Sequence, residues 1–218
     1  MTAISTIRSG TFLTHEIEIK RSRFIATIGR TDSPQEAQGL IDAVKSEHPQ
    51  ARHNCSAYLI QVNGRNPHQH SSDDGEPAGT AGTPMLEALR GAGVWNVTAV
   101  VTRYFGGVLL GAGGLIRAYS TAVSEALALA PRAELRSLEV LEAALSPTDA
   151  GRIEADLRHC GAQILDTQWA AEVHIRIGTE ATEVPFLQER LAQLTGGVTR
   201  FQMAGSTIVE VDIPQSRA

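Results

Sequence analysis

The residue patterns most able to support chemistry lie in two glycine-rich segments, residues 72–82 and 103–114. Each segment precedes a predicted helix, and glycine frees the backbone so that N–H groups at a helix start can point at an anion. The first segment also carries three carboxylates, Asp73, Asp74 and Glu76. Carboxylates repel an anion unless a metal ion or a basic residue lies between them. The two segments therefore indicate different chemistry.

The second segment joins a strand predicted for Val97–Tyr104 to a helix predicted from about Leu115. In that context backbone N–H groups and the helix dipole can hold a phosphate. Arg103 and Arg117 flank the segment and can add charge-assisted hydrogen bonds. These features predict an anion site at the start of the helix.

Neither standard phosphate-loop pattern is present in this segment. Ala112 stands where a Walker A loop needs lysine, and Ile116 stands where a dinucleotide-binding fingerprint needs glycine. Two interpretations stay open: a seat for an anion, or tight turns with close helix packing. The glycines concerned are Gly106, Gly107, Gly111, Gly113 and Gly114.

The acidic segment also has two interpretations. Closely spaced carboxylates suit a hard cation such as Mg²⁺, but Asp and Gly are also the default residues of a solvated turn. The spacing does not fit an EF-hand loop, and we predict no metal site and no cofactor. The residues that characterise the segment are Asp73, Asp74, Gly75, Glu76, Gly79, Thr80 and Gly82.

A tight basic cluster lies in the turn around Lys20. A basic turn is usually a solvated turn, but together with nearby arginines it can form a binding patch. Cys55 lies in a predicted strand, which favours a buried thiol over a nucleophile, and we predict no catalytic residue. The cationic candidates for anion or RNA binding are Lys20, Arg21, Arg23, Arg52, His53, Arg103 and Arg117.

Composition limits the classes of function. The 218 residues fit one large or two small domains. Residues 1–131 hold 11 Lys and Arg against 11 Asp and Glu, whereas the remainder holds 8 against 13. Because phosphate contacts dominate nucleic-acid affinity, binding to RNA needs a local patch, and the first part is the better candidate. The sequence predicts no membrane span and no secretory signal, and two cysteines in different predicted domains favour a reducing cytoplasm.

The hydrophobic pattern predicts an α+β protein divided at Pro131 into domains 1–131 and 132–218. The second domain has the order β-α-β-β-α-β, which is typical of a ferredoxin-like fold. Asn63–Thr83 is predicted to be a long loop. The predicted strands are Thr11–Ile17, Arg23–Ile28, Cys55–Val62, Val97–Tyr104, Leu138–Leu145, Ile164–Trp169 and Glu172–Ile177. Val198–Ile213 is predicted to be either a last strand pair or one long bent strand. The predicted helices begin at Pro34 with Ser33 as cap, at Pro84, at Leu115, after Thr148 as cap, and at Thr182.

Four stretches together resemble the YigZ/IMPACT family: residues 20–25, 51–55, 72–82 and 100–119. The resemblance implies an N-terminal domain of the ribosomal-protein and elongation-factor-G domain-four type. It also implies a ferredoxin-like C-terminal domain resembling elongation factor G domain five. Eukaryotic members of the family regulate translation during amino-acid starvation by competing for a kinase-activating partner, and for bacterial members the resemblance implies no defined catalysis.

Taken together, these patterns predict a cytoplasmic, non-enzymatic, translation-linked regulatory or binding protein. Its N-terminal domain is expected to contact RNA, the ribosome or a ribosome-associated protein. The alternative is a magnesium-dependent enzyme acting on a phosphorylated small molecule or nucleotide, in which the acidic segment holds the metal and the second glycine segment holds the phosphate. The oligomeric state stays open.

Overall fold

The computed structural model describes residues 3–61 and 66–213 and divides into two compact units. The larger unit contains Ile4–Leu135 and the chain from Glu210, and the smaller unit contains Arg136–Val209. The strands are β1 (Ile4–Ile7), β2 (Phe12–Ile19), β3 (Ser22–Arg30), β4 (His53–Ile60), β5 (His68–Ser72), β6 (Val97–Tyr104), β7 (Arg132–Leu145), β8 (Gln163–Trp169), β9 (Val173–Thr179) and β10 (Gln202–Asp212). The helices are α1 (Pro34–Glu47), α2 (Gly82–Gly91), α3 (Ala112–Leu129), α4 (Ala150–His159) and α5 (Val184–Thr195). The predicted α+β class is confirmed.

The larger unit is built on an antiparallel sheet in the order β2-β3-β6-β4-β5. The central strand β6 was predicted from its nearly continuous run of apolar and β-branched residues, and it is buried on both faces. Val101 packs in the main core with α3, whereas Val100 packs on the other face with Ile41 and Val44 of α1. This double burial holds the end of β6, where Arg103 lies, in a fixed position.

Two strands of the larger unit were not predicted. Within the predicted loop Asn63–Thr83 lies β5, which pairs with β4. Residues 62–65 lie outside the described residues, so the end of the predicted strand at Val62 and the first residues of the predicted loop are not described. The sequence of β5 is His-Gln-His-Ser-Ser, so it has no hydrophobic alternation, and its backbone pairing at the sheet edge makes it a strand. The short strand β1 pairs with Arg132–Leu135 and buries Ile7 in the core.

The smaller unit has the strand order β10-β7-β9-β8. The strands therefore stand in the order fourth, first, third, second, with α4 and α5 contributing Ile153, Leu157 and Leu191 to the core. This order confirms the ferredoxin-like prediction. Residues 202–212 form one long strand. Helix α5 ends at Gly196, which adopts the left-handed conformation with a φ of 62°. No helix among the described residues is long and apolar enough to cross a membrane.

The predicted helix caps had different outcomes. The Ser33 hydroxyl accepts a hydrogen bond from the Glu36 backbone N–H at 3.2 Å, as predicted, and the Glu36 carboxylate accepts one from the Asp32 N–H at 2.9 Å. The Thr148 cap is wrong, because α4 begins after Asp149 and Thr148 instead bonds the Ser146 hydroxyl. The intervening turn at residues 147–149 moves the helix start beyond the reach of Thr148.

Replacing Ser33 with alanine removes the hydroxyl that caps α1. We expect S33A to lower the free energy of unfolding by about 1 kcal/mol, the usual contribution of an N-cap hydroxyl. Urea denaturation followed by circular dichroism measures this. The matched control is S124A on the exposed side of α3, where alanine is the better helix former and the free energy should stay unchanged or rise by about 0.5 kcal/mol. Equal losses in both variants would contradict the cap assignment.

Candidate functional site

The candidate site lies at the end of the sheet where β6 stops. The strand register places Arg103 of β6 opposite Phe24 of β3 on one side and opposite His53 of β4 on the other. The chain before β4 and the glycine-rich chain after β6 therefore meet at one place and enclose a pocket of about 460 Å³. The pocket is lined by Gln50, Arg52, His53, Arg103, Tyr104, Phe105 and Leu109.

Three of the predicted cationic residues thus line one pocket, namely Arg52, His53 and Arg103. The basic residues Lys20, Arg21 and Arg23 lie at the same end of the sheet, at the β2–β3 connection, but do not line the pocket. Arg117 is exposed on α3 and does not line the pocket. The sequence could not exclude Arg117, because its position depends on which face of α3 packs on the sheet.

The basic turn has an unusual backbone. Lys20 and Arg21 are the two residues between the paired positions Ile19 and Ser22, with φ values of 48° and 65°. Positive φ at both central residues is the type I′ hairpin conformation, in which glycine and asparagine are preferred. A non-glycine residue in this region costs about 1–3 kcal/mol and persists where its surroundings hold it. The turn therefore presents two long cationic side chains at a position where the backbone alone favours small residues.

The second glycine segment supports this turn. A Cβ on Gly106 would lie 2.0 Å from the Arg21 carbonyl carbon and 2.4 Å from the Ser22 nitrogen, so a side chain cannot be accommodated. The Gly106 N–H donates to the Ser22 hydroxyl at 3.1 Å. Gly106 therefore serves close packing, which is the second of the two interpretations that the sequence left open.

The other glycines of this segment shape the start of α3. Gly107 and Gly111 have φ values of 84° and 72°, which favour glycine. No side chain caps α3, and a Cβ on Gly113 would meet open space, whereas one on Gly114 would approach the Leu110 Cβ at 3.0 Å. Anion binding at this helix start stays a prediction.

Asp73 organises the acidic segment. Its carboxylate accepts backbone N–H bonds from Gly79 at 2.8 Å, Ala81 at 3.0 Å and Gly82 at 2.9 Å, and so it caps the start of α2. Burial by itself raises the pKa of Asp73, but the N–H donors of Gly79, Gly82 and Ala81 outweigh it and hold the pKa below its ordinary value. Asp73 is therefore a structural anion.

Asp74 connects the same segment to the pocket. One carboxylate oxygen accepts from the Asn54 N–H at 2.7 Å and the other from Lys45 at 2.9 Å, while the Asp74 carbonyl contacts His53 Nδ1 at 2.9 Å. Burial tends to raise the pKa of Asp74, but the Asn54 N–H and Lys45 hold it below its ordinary value. Because a carbonyl oxygen only accepts, Nδ1 of His53 carries the proton in this contact. Asp74 thereby fixes both the orientation and the tautomer of a residue that lines the pocket.

Glu76 is the buried member of the segment. Its carboxylate accepts hydrogen bonds from the Arg103 guanidinium at 2.7 Å and from the Tyr119 hydroxyl at 2.8 Å. The side chain of Arg103 is 8% exposed and that of Glu76 is 4% exposed. The Arg103 guanidinium also lies over the rings of Phe24 and Phe105, at 5.4 and 5.6 Å from their centroids. Arg103 Nε is buried and has no hydrogen-bond partner among the described residues.

All three carboxylates of the acidic segment already accept bonds from protein donors, and the described residues contain no group of three His, Cys, Asp or Glu side chains able to hold a metal ion. Burial raises the pKa of Cys55 to about 12, so its thiol is not a nucleophile at neutral pH. All three carboxylates of the acidic segment are therefore engaged in contacts within the protein.

Sequence reasoning missed the apolar half of the pocket. Phe105 is 55% exposed and Leu109 is 83% exposed, although both are large hydrophobic residues. Tyr104 and Gln50 complete the lining. An aromatic residue within a glycine-rich loop, directly after a buried strand, is the signal that could have identified Phe105. Gln50 has no such signal, since it reaches the site through the chain that precedes β4.

Comparison with known proteins identifies the family. Residues 20–127 match the model described as the Impact N-terminal domain, and residues 144–198 match one described as a domain of unknown function, DUF1949. The chain is 41% identical over 197 residues to the IMPACT family member YvyE of Bacillus subtilis, which covers 90% of this chain and 89% of that protein. The chain belongs to the IMPACT family.

Further relatives agree with this assignment and confirm the resemblance to YigZ and IMPACT proteins. The IMPACT family member YigZ of Escherichia coli is 39% identical over 180 residues, or 83% of this chain and 88% of that protein. A solved structure described as the crystal structure of an hypothetical protein is 36% identical, covers 92% of this chain and 97% of that chain, and has a TM-score of 0.61. The similarity to these proteins therefore extends over most of the chain.

Removing the Glu76 carboxylate should destabilise the larger unit strongly. E76A leaves the buried guanidinium of Arg103 without its counter-charge, and we expect a loss of about 3–5 kcal/mol in the free energy of unfolding. The control is E16A, which removes the partner of Arg23 in a pair whose side chains are about half exposed, and it should cost at most about 1 kcal/mol. Urea denaturation measures both. Similar small losses would show that the Glu76–Arg103 pair is not a structural anchor.

The depressed pKa of Asp73 predicts how stability depends on pH. The unfolded chain binds a proton on this carboxyl more readily than the folded one, so the contribution of Asp73 is complete above its ordinary pKa of 3.8 and is lost as pH falls through the lower folded value. D73N keeps the shape but removes the charge and one acceptor oxygen. We expect D73N to be less stable than wild type at neutral pH, with the gap narrowing in acid, measured by urea denaturation across pH. A gap that widens in acid would reverse the assigned sign.

Proposed function

We propose that this chain is a non-enzymatic, translation-linked binding protein that contacts RNA through the pocket at the end of β6. The observation that carries the proposal is the combination of Arg52 and the exposed ring of Phe105 around one cavity, which His53 also lines. Cationic side chains bind phosphates, and exposed aromatic rings stack on unpaired bases. The pocket volume falls within the usual range of about 300–1,000 Å³ for sites that bind small groups.

The charges around the pocket support an anionic ligand. Arg23, Lys45 and Arg103 are paired with carboxylates. Among the described residues, by contrast, no ion pair involves Arg52 or the turn residues Lys20 and Arg21. These cations are available for phosphate, which provides the local patch that RNA binding requires in a unit with balanced charge.

The link to translation rests on the family. The sequence motifs resemble those of proteins whose eukaryotic members regulate translation, and this chain belongs to the same family. The motifs in question form the site itself, since residues 51–55 and 72–82 supply His53 and the loop that orients it. A translation-associated RNA is therefore the partner that we propose for the larger unit, in the cytoplasm.

Replacing Arg52 tests this proposal. We expect R52A to weaken binding of a fluorescein-labelled single-stranded RNA about tenfold at low salt, because one phosphate contact is lost. The slope of log K against log salt should also become less steep by about 0.7, the value for one phosphate contact on a single strand. Fluorescence anisotropy over a salt series measures both quantities.

The matched control is R8A, which also removes one arginine from the larger unit. Arg8 forms an ion pair with Asp212. It directly follows Ile7, whose carbonyl accepts a hydrogen bond from Arg30. Arg30 is the last residue of β3, at the end of that strand far from the pocket. R8A should bind RNA as wild type does. Equal effects of R52A and R8A, or no binding by the wild-type chain at low salt, would contradict the proposed function.

A further inference from the structure

We propose that the pocket binds one unstacked ribonucleotide of single-stranded RNA and recognises its 2′-hydroxyl through Nε2 of His53, a step that rests on the proposed function. The contacts of the His53 ring support this proposal. Its Nδ1 donates to the Asp74 carbonyl at 2.9 Å, and a Cβ built on Gly75 would lie 3.4 Å from Nδ1 and 3.5 Å from Cε1. The Nδ1–Cε1 edge therefore faces the acidic segment.

The second ring nitrogen, Nε2, is separated from Nδ1 by Cε1. His53 lines the pocket, and Nε2 makes no hydrogen bond with the described residues. With the proton held on Nδ1 by a carbonyl, the neutral imidazole presents a lone pair at Nε2. The site thus combines an acceptor with the donors of Arg52. A phosphate oxygen offers no proton to that acceptor, whereas a ribose hydroxyl does.

The backbone around His53 gives this acceptor a defined position. The Asp74 carboxylate accepts from the Asn54 N–H, directly after His53, and Asp74 itself is in the left-handed region with a φ of 43°. Asp74 therefore fixes both the start of β4, through the Asn54 N–H, and the ring of His53, through its own carbonyl. A preorganised acceptor discriminates better than a mobile one, because its geometry costs no further ordering on binding.

The pocket also selects single strands. Phe105 lies at the rim of the pocket and is about half exposed. The buried Arg103 guanidinium lies beneath its ring, and its Nε has no hydrogen-bond partner in the part of the chain that the structure describes. A base can stack on such a ring only when it has left its own stack, which is the form available in single-stranded RNA and not in an A-form duplex. The base on Phe105, the phosphate on Arg52 and the 2′-hydroxyl on His53 make up one nucleotide unit.

The experiment compares four probes of one base sequence: single-stranded RNA, the 2′-deoxy strand, the 2′-O-methyl strand and the RNA duplex. Binding is measured by fluorescence anisotropy. We expect wild type to bind the RNA strand about tenfold more tightly than the deoxy and the 2′-O-methyl strands, since both lack the hydroxyl donor. The duplex should bind weakly.

The test variant is H53N. The asparagine amide can still donate to the Asp74 carbonyl from the position of Nδ1, but it places no acceptor at the position of Nε2. We expect H53N to bind RNA and deoxy strands with affinities within about twofold of each other. The control F105A should instead weaken all single strands about tenfold, because stacking does not depend on the sugar. Thermal unfolding of each variant verifies that it is folded.

The outcomes separate this inference from the proposed function. If the RNA strand binds and R52A weakens it, but the sugar makes no difference or H53N keeps the wild-type preference, the 2′-hydroxyl inference is overturned and RNA binding stands. If the duplex binds as tightly as the strand, the single-nucleotide pocket is overturned. If no probe binds, both proposals fall.

Discussion

The buried contact between Arg103 and Glu76 is the interaction on which the site depends. Arg103 lies at the end of the central strand β6, and Glu76 belongs to a loop that is distant in sequence. Bringing both charges into the core is unfavourable unless each is paired, and Tyr119 supplies a further donor. The pair therefore ties the acidic loop, α3 and the end of the sheet together. The pocket lies beside this buried pair, and Arg103 is one of its lining residues.

The acidic loop is a scaffold for the pocket, and its three carboxylates perform three separate tasks. Asp73 caps α2, Asp74 orients His53, and Glu76 neutralises Arg103. The apparent conflict in the sequence between carboxylates and an anion site is resolved by geometry. Each negative charge is satisfied by protein donors, so Arg52 and the basic turn can still attract an anionic ligand.

The parts of the fold that the sequence predicted are those with strong local patterns. Strand β6 has a continuous apolar run, α1 has a serine cap followed by proline, and the ferredoxin-like unit has a regular order of elements. Strand β5 has no such pattern, because pairing with β4 rather than hydrophobic alternation makes it a strand. For the site, residue type singled out Arg103 and His53, which line the pocket, but it could not show that Glu76 contacts Arg103 or that Arg117 does not line the pocket. Those facts depend on strand register and helix orientation, which single residues do not encode.

We propose that RNA binds the larger unit at the end of β6. Titration of the isotope-labelled 23.3 kDa chain with single-stranded RNA, followed by backbone amide chemical shifts, tests it directly. The account predicts dose-dependent shifts at residues 50–53 and 103–109 and in the Lys20–Arg21 turn, with unchanged signals on α1. Shifts centred on another surface, or no shifts at saturating RNA, would contradict it.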